Sequence, residues 1–216
     1  MNDPVRVLIV DDHPLVREGL IVRISAQPDL EVCGEASEVD QALSLTSTTR
    51  PALVIVDLAL KGSNGLDLIK KVRASEVSPK ILVVSAYDEV FFAERALRAG
   101  AQGYINKQEA QGSIIDAIRT LLRGELYLSL NMTQRLTDQA LFGSRASRGI
   151  EGLSDRELEI FELIGRGYAT RLIAEQLHLS IHTIESHREK IRTKLRLRNS
   201  TELLQSAVQW VLENRS

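Results

Sequence analysis

Asp11 and Asp12 stand side by side after the apolar run Val7-Leu-Ile-Val10, and Asp57 follows a second run, Leu53-Val-Ile-Val56. Carboxylates brought together repel one another unless a cation neutralises them. An oxygen-only donor set suits a small hard divalent ion, Mg²⁺ or alternatively Mn²⁺, which keeps several of its waters. Ser85 ends another apolar run and Lys107 follows a further one. A hydroxyl, an ammonium and a metal can share the three oxygens of a phosphoryl group transferred in line. In that chemistry Asp57 is the nucleophile and the product is an aspartyl phosphate. Taken singly, each residue has a plain structural reading: a helix cap for an aspartate, a turn for Ser85, core packing for Tyr104. The ordered set at the ends of successive runs is what points to chemistry.

Those residues meet only if the elements around them place them together. Strand candidates are 6–10, 31–34, 53–56, 81–85 and 103–106, alternating with helix-period stretches at 15–25, 39–47, 66–74, 90–99 and 114–122. Runs apolar on both faces belong in a parallel sheet covered by helices. Five alternating units therefore predict an α/β fold, a five-stranded doubly wound parallel sheet. Ligands of such sheets bind beyond the carboxyl ends of the strands, where strand order reverses. If the first strand lies beside the third, all three acids meet there.

The texture changes after residue 125. Residues 126–149 read as a linker with a short helix over 131–142 and a flexible Gly143–Gly149 stretch; residues 150–216 read as a second, smaller, all-α domain of four helices. Ser154-Asp-Arg-Glu157 is a capping box, and the helix it starts stops near Gly165 and Gly167. Further helices are expected over 170–177, over 181–195 behind an N-cap at Ser180, and over 201–212.

Composition narrows the class. The 216 residues are 44% hydrophobic and 26% charged with a net charge of −2, a balance that supports a buried core. Charge is unevenly spread: Arg188, Lys190, Arg192, Lys194, Arg196 and Arg198 crowd one stretch, a positive cluster able to guide a polyanion. No run approaches the ~20 apolar residues of a membrane span. The single cysteine, Cys33, excludes an intrachain disulfide, fits a reducing cytoplasm and reads as a small core residue. His13 reads as structural.

At the motifs Val7-Leu-Ile-Val-Asp-Asp-His-Pro14, Val56-Asp-Leu58, Ser85-Ala86 and Gly103-Tyr-Ile-Asn-Lys107, the chain resembles the receiver domains of two-component response regulators over residues 5–123. The resemblance implies that Asp57 is phosphorylated by a partner histidine kinase. It implies direct Mg²⁺ ligation by Asp12, Asp57 and the Ala59 carbonyl, with Asp11 acting through water. Ser85, Lys107 and Tyr104 become the phosphate-binding and switch group. Lys61 departs from the proline frequent there; with Ala59 and a shielding Tyr87 it leads to an expectation of slow self-dephosphorylation.

Residues 153–203 resemble the LuxR-type output domain of the NarL/FixJ class, through Leu153-Ser-Asp-Arg-Glu157, Gly165-Arg-Gly167, Ile173-Ala174, Leu179-Ser180, Thr183-Ile184, His187 and Lys194-Leu195. The resemblance places Glu185, Ser186 and Glu189 against bases in the major groove of double-stranded DNA. Thr183, Arg188, Lys190, Arg192 and Lys194 would hold backbone phosphates. A homodimer, with the apolar stripe Leu203, Leu204, Ala207, Val208 and Val211 split between core and contact, follows from the same resemblance. Two other readings of the residues stand beside it: a metal-dependent phosphohydrolase using the same acids, and a constitutive DNA-binding protein whose receiver is never phosphorylated.

Overall fold

A computed structural model describes residues 3–60, 64–142 and 150–214. The expectations for Lys61 and for the Gly143–Gly149 stretch lie outside the described residues. The chain divides into two compact units, Met1–Thr137 and Asp138–Ser216.

In the first unit, β1 (Val5–Val10), β2 (Leu30–Ala36), β3 (Leu53–Val56), β4 (Lys80–Ser85) and β5 (Gly103–Asn106) form one sheet of order β2-β1-β3-β4-β5. All neighbouring pairs are parallel. Helices α1 (Pro14–Ser25), α2 (Val39–Thr49), α3 (Gly65–Arg73), α4 (Glu89–Ala99) and α5 (Ala110–Leu122) supply the crossovers. Strand residues on one face, Val7, Ile9, Leu53, Ile55, Leu82 and Val84, pack on Leu20, Ile24, Ile114, Ala117, Ile118 and Leu121. Order reverses between β1 and β3, whose last residues Val10 and Val56 are in register. Asp11 and Asp57, one step beyond each, therefore emerge at the same level.

Local chemistry sets the loops at that edge. Asn64 caps α3 by accepting from the Leu66 amide, and Asp88 caps α4 by accepting from the Val90 amide. Gly65 lies so close to the backbone of Asp57 and Leu58 that a Cβ there would strike the Asp57 carbonyl. α5 begins four residues before the expected 114, because its first turn, Ala-Gln-Gly-Ser, carries no apolar period to reveal it. Tyr127, in the stretch read as linker, bridges to Gly103 alongside β5. Its amide donates to the Gln102 carbonyl at 3.0 Å and its carbonyl accepts from the Tyr104 amide at 2.9 Å. A single paired residue leaves no alternation to detect. Cys33 is half-buried, its Sγ 3.4 Å from the Thr49 hydroxyl, rather than core.

α6 (Leu130–Phe142) contains the division between units, and a short 3-10 turn at Ile150–Gly152 leads into the second. There α7 (Asp155–Gly165), α8 (Thr170–Gln176), α9 (Ile181–Leu195) and α10 (Ser200–Asn214) form a bundle. Both bonds of the capping box are present at Ser154 and Glu157. Ile173 and Ala174 of α8 and Ile184 and Ile191 of α9 are buried, as are Leu203, Ala207, Trp210 and Val211 of α10. Leu204 is 45% exposed, so the α10 stripe divides between core and surface. Among the described residues no helix is long and apolar enough to cross a membrane.

At Gly165 α7 and α10 approach closely, since a Cβ there would meet the Ala207 carbonyl and the Val211 side chain. Gly165→Ala forces the helices apart and is expected to cost about 1–3 kcal/mol. The single tryptophan, Trp210, packs on Phe161 with ring centroids 5.5 Å apart and reports this unit. A urea titration followed by its fluorescence should show an earlier midpoint than the parent; an unchanged midpoint contradicts the packing account.

Candidate functional site

Lys107 Nζ lies 2.6 Å from Asp57 Oδ2 and 2.7 Å from Asp11 Oδ2. The three residues come from the ends of β5, β3 and β1. The Lys107 amide donates to the Ser85 carbonyl at 2.8 Å, which ties the end of β5 to the end of β4 and aims the lysine. Asp11 Oδ1 accepts from the His13 amide at 2.8 Å, and Asp57 Oδ1 accepts from the Ala59 amide at 3.2 Å. Arg17 of α1 donates to the Asp11 carbonyl at 2.8 Å. Asp11 and Asp57 are buried and Asp12 is half-buried.

Burial pushes the Asp57 carboxyl above the usual carboxylate range; the Asp11 charge adds to this, and Lys107 opposes both. Burial draws the Lys107 ammonium down, but the charges and hydrogen bonds of Asp57 and Asp11 outweigh it and leave the group raised. Lys107 therefore stays protonated across the physiological range. Among the described residues Lys107 is the ammonium paired with Asp11 and Asp57, and a divalent ion would offset the negative charge it leaves on the three acids.

Ligand atoms of Asp11, Asp12, His13 and Asp57 all lie within 4.8 Å of one another. The set is dominated by hard carboxylate oxygens and can hold a divalent metal. His13 belongs to it in space: its Nδ1 is 2.7 Å from Asp12 Oδ1 and 3.2 Å from Asp11 Oδ1, and its side chain is 59% exposed. Reading it as structural missed this placement, although its position directly after the acid pair was the available signal.

Ser85 is fully buried, and its hydroxyl accepts from the Tyr87 amide at 3.2 Å. The Tyr104 ring is buried and its hydroxyl donates to the Tyr87 carbonyl at 3.0 Å. Tyr104 is thus turned inward and bonded to the loop that Ser85 begins. The Tyr87 ring is also buried, stacked on Phe92 of α4 with centroids 4.8 Å apart.

In the second unit, the exposed face of α9 carries Glu185, Ser186, Glu189 and Lys190, with Thr183, Arg188 and Arg192 half-buried beside it. Ser180 caps the helix by accepting from the Thr183 amide at 3.0 Å, and the two hydroxyls lie 2.7 Å apart. The Thr170 hydroxyl donates to Glu185 Oε1 at 3.0 Å, and Arg188 Nε lies 3.6 Å from Oε2. Glu189 pairs with Arg192 at 3.1 Å. Lys194 has a structural tie that the sequence did not reveal: its Nζ is 2.6 Å from Glu157 Oε2, joining the end of α9 to the capping box of α7. That bond, with the Ser154 contacts, overcomes the upward effect of burial and lowers the Glu157 carboxyl below its usual range. Burial, then the Lys190 and Arg156 charges, lower the His187 imidazole, which favours a neutral ring within the bundle.

The model of the response regulator receiver domain matches residues 7–119, and that of bacterial regulatory proteins of the luxR family matches residues 151–207. The oxygen regulatory protein NreC of Staphylococcus epidermidis is 34% identical over 210 residues, covering 94% of this chain and 96% of that protein. A LuxR-family two-component response regulator from Aurantimonas sp. matches with a TM-score of 0.59 at 31% identity, over 64% of this chain and 99% of its own. RcsB from Salmonella enterica serovar Typhimurium, bound to promoter rprA in the presence of the phosphomimetic BeF₃⁻, matches with a TM-score of 0.59 at 26% identity, over 94% and 98% of the two chains. Fold and site define a receiver joined to a DNA-binding helix-turn-helix. The chain belongs to the response regulator family, in the group with a LuxR-type output domain. It is a phosphorylation-dependent transcriptional regulator and not a metabolic enzyme.

The raised Asp57 carboxyl has a consequence for stability. Folding favours its protonated form, so this contribution is fully present in acid and is lost as pH rises through the folded-state value. In metal-free buffer, Asp57→Asn is expected to melt a few degrees above the parent at pH 7. The gap should close below pH of about 4, where the parent is protonated in both states. A variant less stable than the parent at pH 7 contradicts this electrostatic balance.

Proposed function

We propose that Asp57 is the phosphoacceptor of a cytoplasmic regulator that receives its phosphoryl group from a sensor histidine kinase. The observation that carries this reading is the contact of Lys107 with Asp57, 50 residues earlier in the chain, and with Asp11 at the end of the first strand. Asp12, Asp57 and the Ala59 carbonyl are the ligands assigned to a Mg²⁺ ion, Mn²⁺ serving as an alternative, with Asp11 acting through water. Bound there, the ion supplies charge neutralisation for the incoming phosphoryl oxygens.

The chain's own residues do the rest. An Asp57 oxygen attacks phosphorus in line; the new O–P bond forms as the bond to the kinase histidine breaks, and the imidazole leaves with the electron pair. Before the transfer Lys107 holds Asp57 by an ion pair; after it, the ammonium takes a phosphoryl oxygen while keeping Asp11. The Ser85 hydroxyl takes another phosphoryl oxygen. It then leaves the Tyr87 amide, and the shift reaches Tyr104 through the Tyr87 carbonyl. Phosphorylation favours one of two arrangements of this face, a population shift that changes DNA binding and favours a homodimer.

In the output domain α9 is the recognition helix. Glu185, Ser186 and Glu189 face bases, while Thr183, Arg188, Lys190, Arg192 and Lys194 face the phosphate backbone and set register. Lys194 does so only by loosening its bond to Glu157.

Beryllofluoride with Mg²⁺ should tighten binding of the full chain to its operator at least about tenfold, the scale of a typical coupling free energy. Asp57→Asn and Lys107→Ala should not respond. An equal response in Asp57→Asn would refute the assignment. Arg192→Ala should weaken binding to all sequences alike and reduce the salt slope by about one; a selective loss at one base pair would instead place Arg192 against a base.

A further inference from the structure

Two glutamates stand among the basic residues of α9, and the geometry indicates how the carboxylate at 185 is used. Glu185 is exposed on α9, yet its two oxygens are already engaged: Oε1 by the Thr170 hydroxyl at 3.0 Å, Oε2 by Arg188 Nε at 3.6 Å. The first partner stands on α8 and the second one turn along α9. Glu189, by comparison, is paired with Arg192 on its own helix. Glu185 alone of the two is held across the helix-turn-helix.

We propose that Thr170 is a positioning residue that fixes the Glu185 carboxylate to accept a hydrogen bond from the amino group of a cytosine in the operator half-site. This rests on α9 being the recognition helix, and it names the base that Glu185 recognises. A carboxylate offers about four lone-pair sites, so one hydroxyl and one guanidinium leave acceptor capacity on both oxygens. Cytosine presents an amino donor in the major groove, whereas guanine and thymine present acceptors that repel a carboxylate. Adenine has an amino donor too, but flanked by an acceptor nitrogen, which disfavours it. Arg188 offsets the charge that nearby phosphates would otherwise repel. Thr170 restricts the side chain before DNA arrives, so less ordering is left to binding. Removing the Thr170 hydroxyl should therefore blunt base discrimination without weakening the general hold on DNA.

The test is binding selection from randomised duplexes by the full chain with beryllofluoride, followed by measured affinities for the preferred site and its single-base variants. Glu185→Gln should reduce the preference for cytosine at one position about tenfold or more, since glutamine presents a donor and matches adenine. Thr170→Val, which keeps the branched shape, should reduce preference at that same position about three- to tenfold, with affinity for unrelated DNA and the salt slope unchanged. Thr170→Ser, which keeps the hydroxyl, should restore it. If Glu185→Gln loses the preference and Thr170→Val keeps it, the positioning role is overturned while base reading by Glu185 stands. If Thr170→Val weakens every sequence alike, Thr170 only supports the fold and the proposal is likewise overturned. An unchanged preference in Glu185→Gln removes the base-reading assignment itself.

Discussion

A lysine at the end of the last strand bridges two buried carboxylates at the ends of the first and third, and the receiver is organised around that contact. An ammonium 2.6 Å from one acid and 2.7 Å from another offsets part of their repulsion and part of their desolvation, but not all of it. The residual negative charge makes the site receptive to a divalent cation. Burial makes Asp57 costly to keep ionised. Both properties depend on strand order: with β1 between β2 and β3, Asp11 and Asp57 meet at the reversal point, and β5 at the far edge sends Lys107 back through its bond to the Ser85 carbonyl.

The same loops connect chemistry to conformation. Ser85 and Tyr104 are joined through Tyr87, whose amide donates to one and whose carbonyl accepts from the other. A pull on Ser85 reaches Tyr104 through a single residue's backbone. Tyr104 in turn gives its amide to the Tyr127 carbonyl, so it is bonded on one side to the loop before α4 and on the other to the chain beyond α5.

Much of this was legible beforehand because it follows from period and position. Strands apolar on both faces announced a covered parallel sheet, and acids directly after Val10 and Val56 announced a site at its edge. The N-caps of α7 and α9 were visible as side chains at fixed spacing. What escaped depended on tertiary contact. The Tyr127 pairing is one residue long and has no pattern. The tie of Lys194 to Glu157 and that of Glu185 to Thr170 join residues 37 and 15 positions apart on different helices, and nothing in charge patterning distinguishes such pairs from solvated surface. The stacking of the Tyr87 ring on Phe92 likewise has no period to announce it.

The central claim is that these convergent groups make one particular carboxylate chemically distinct. Borohydride reduction of the phosphorylated chain converts an aspartyl phosphate to homoserine, and tandem mass spectrometry then locates it. The account requires a single homoserine, at position 57, formed only when Mg²⁺ is supplied with the phosphodonor. Homoserine at Asp11 or Asp12, or none at position 57, would contradict it.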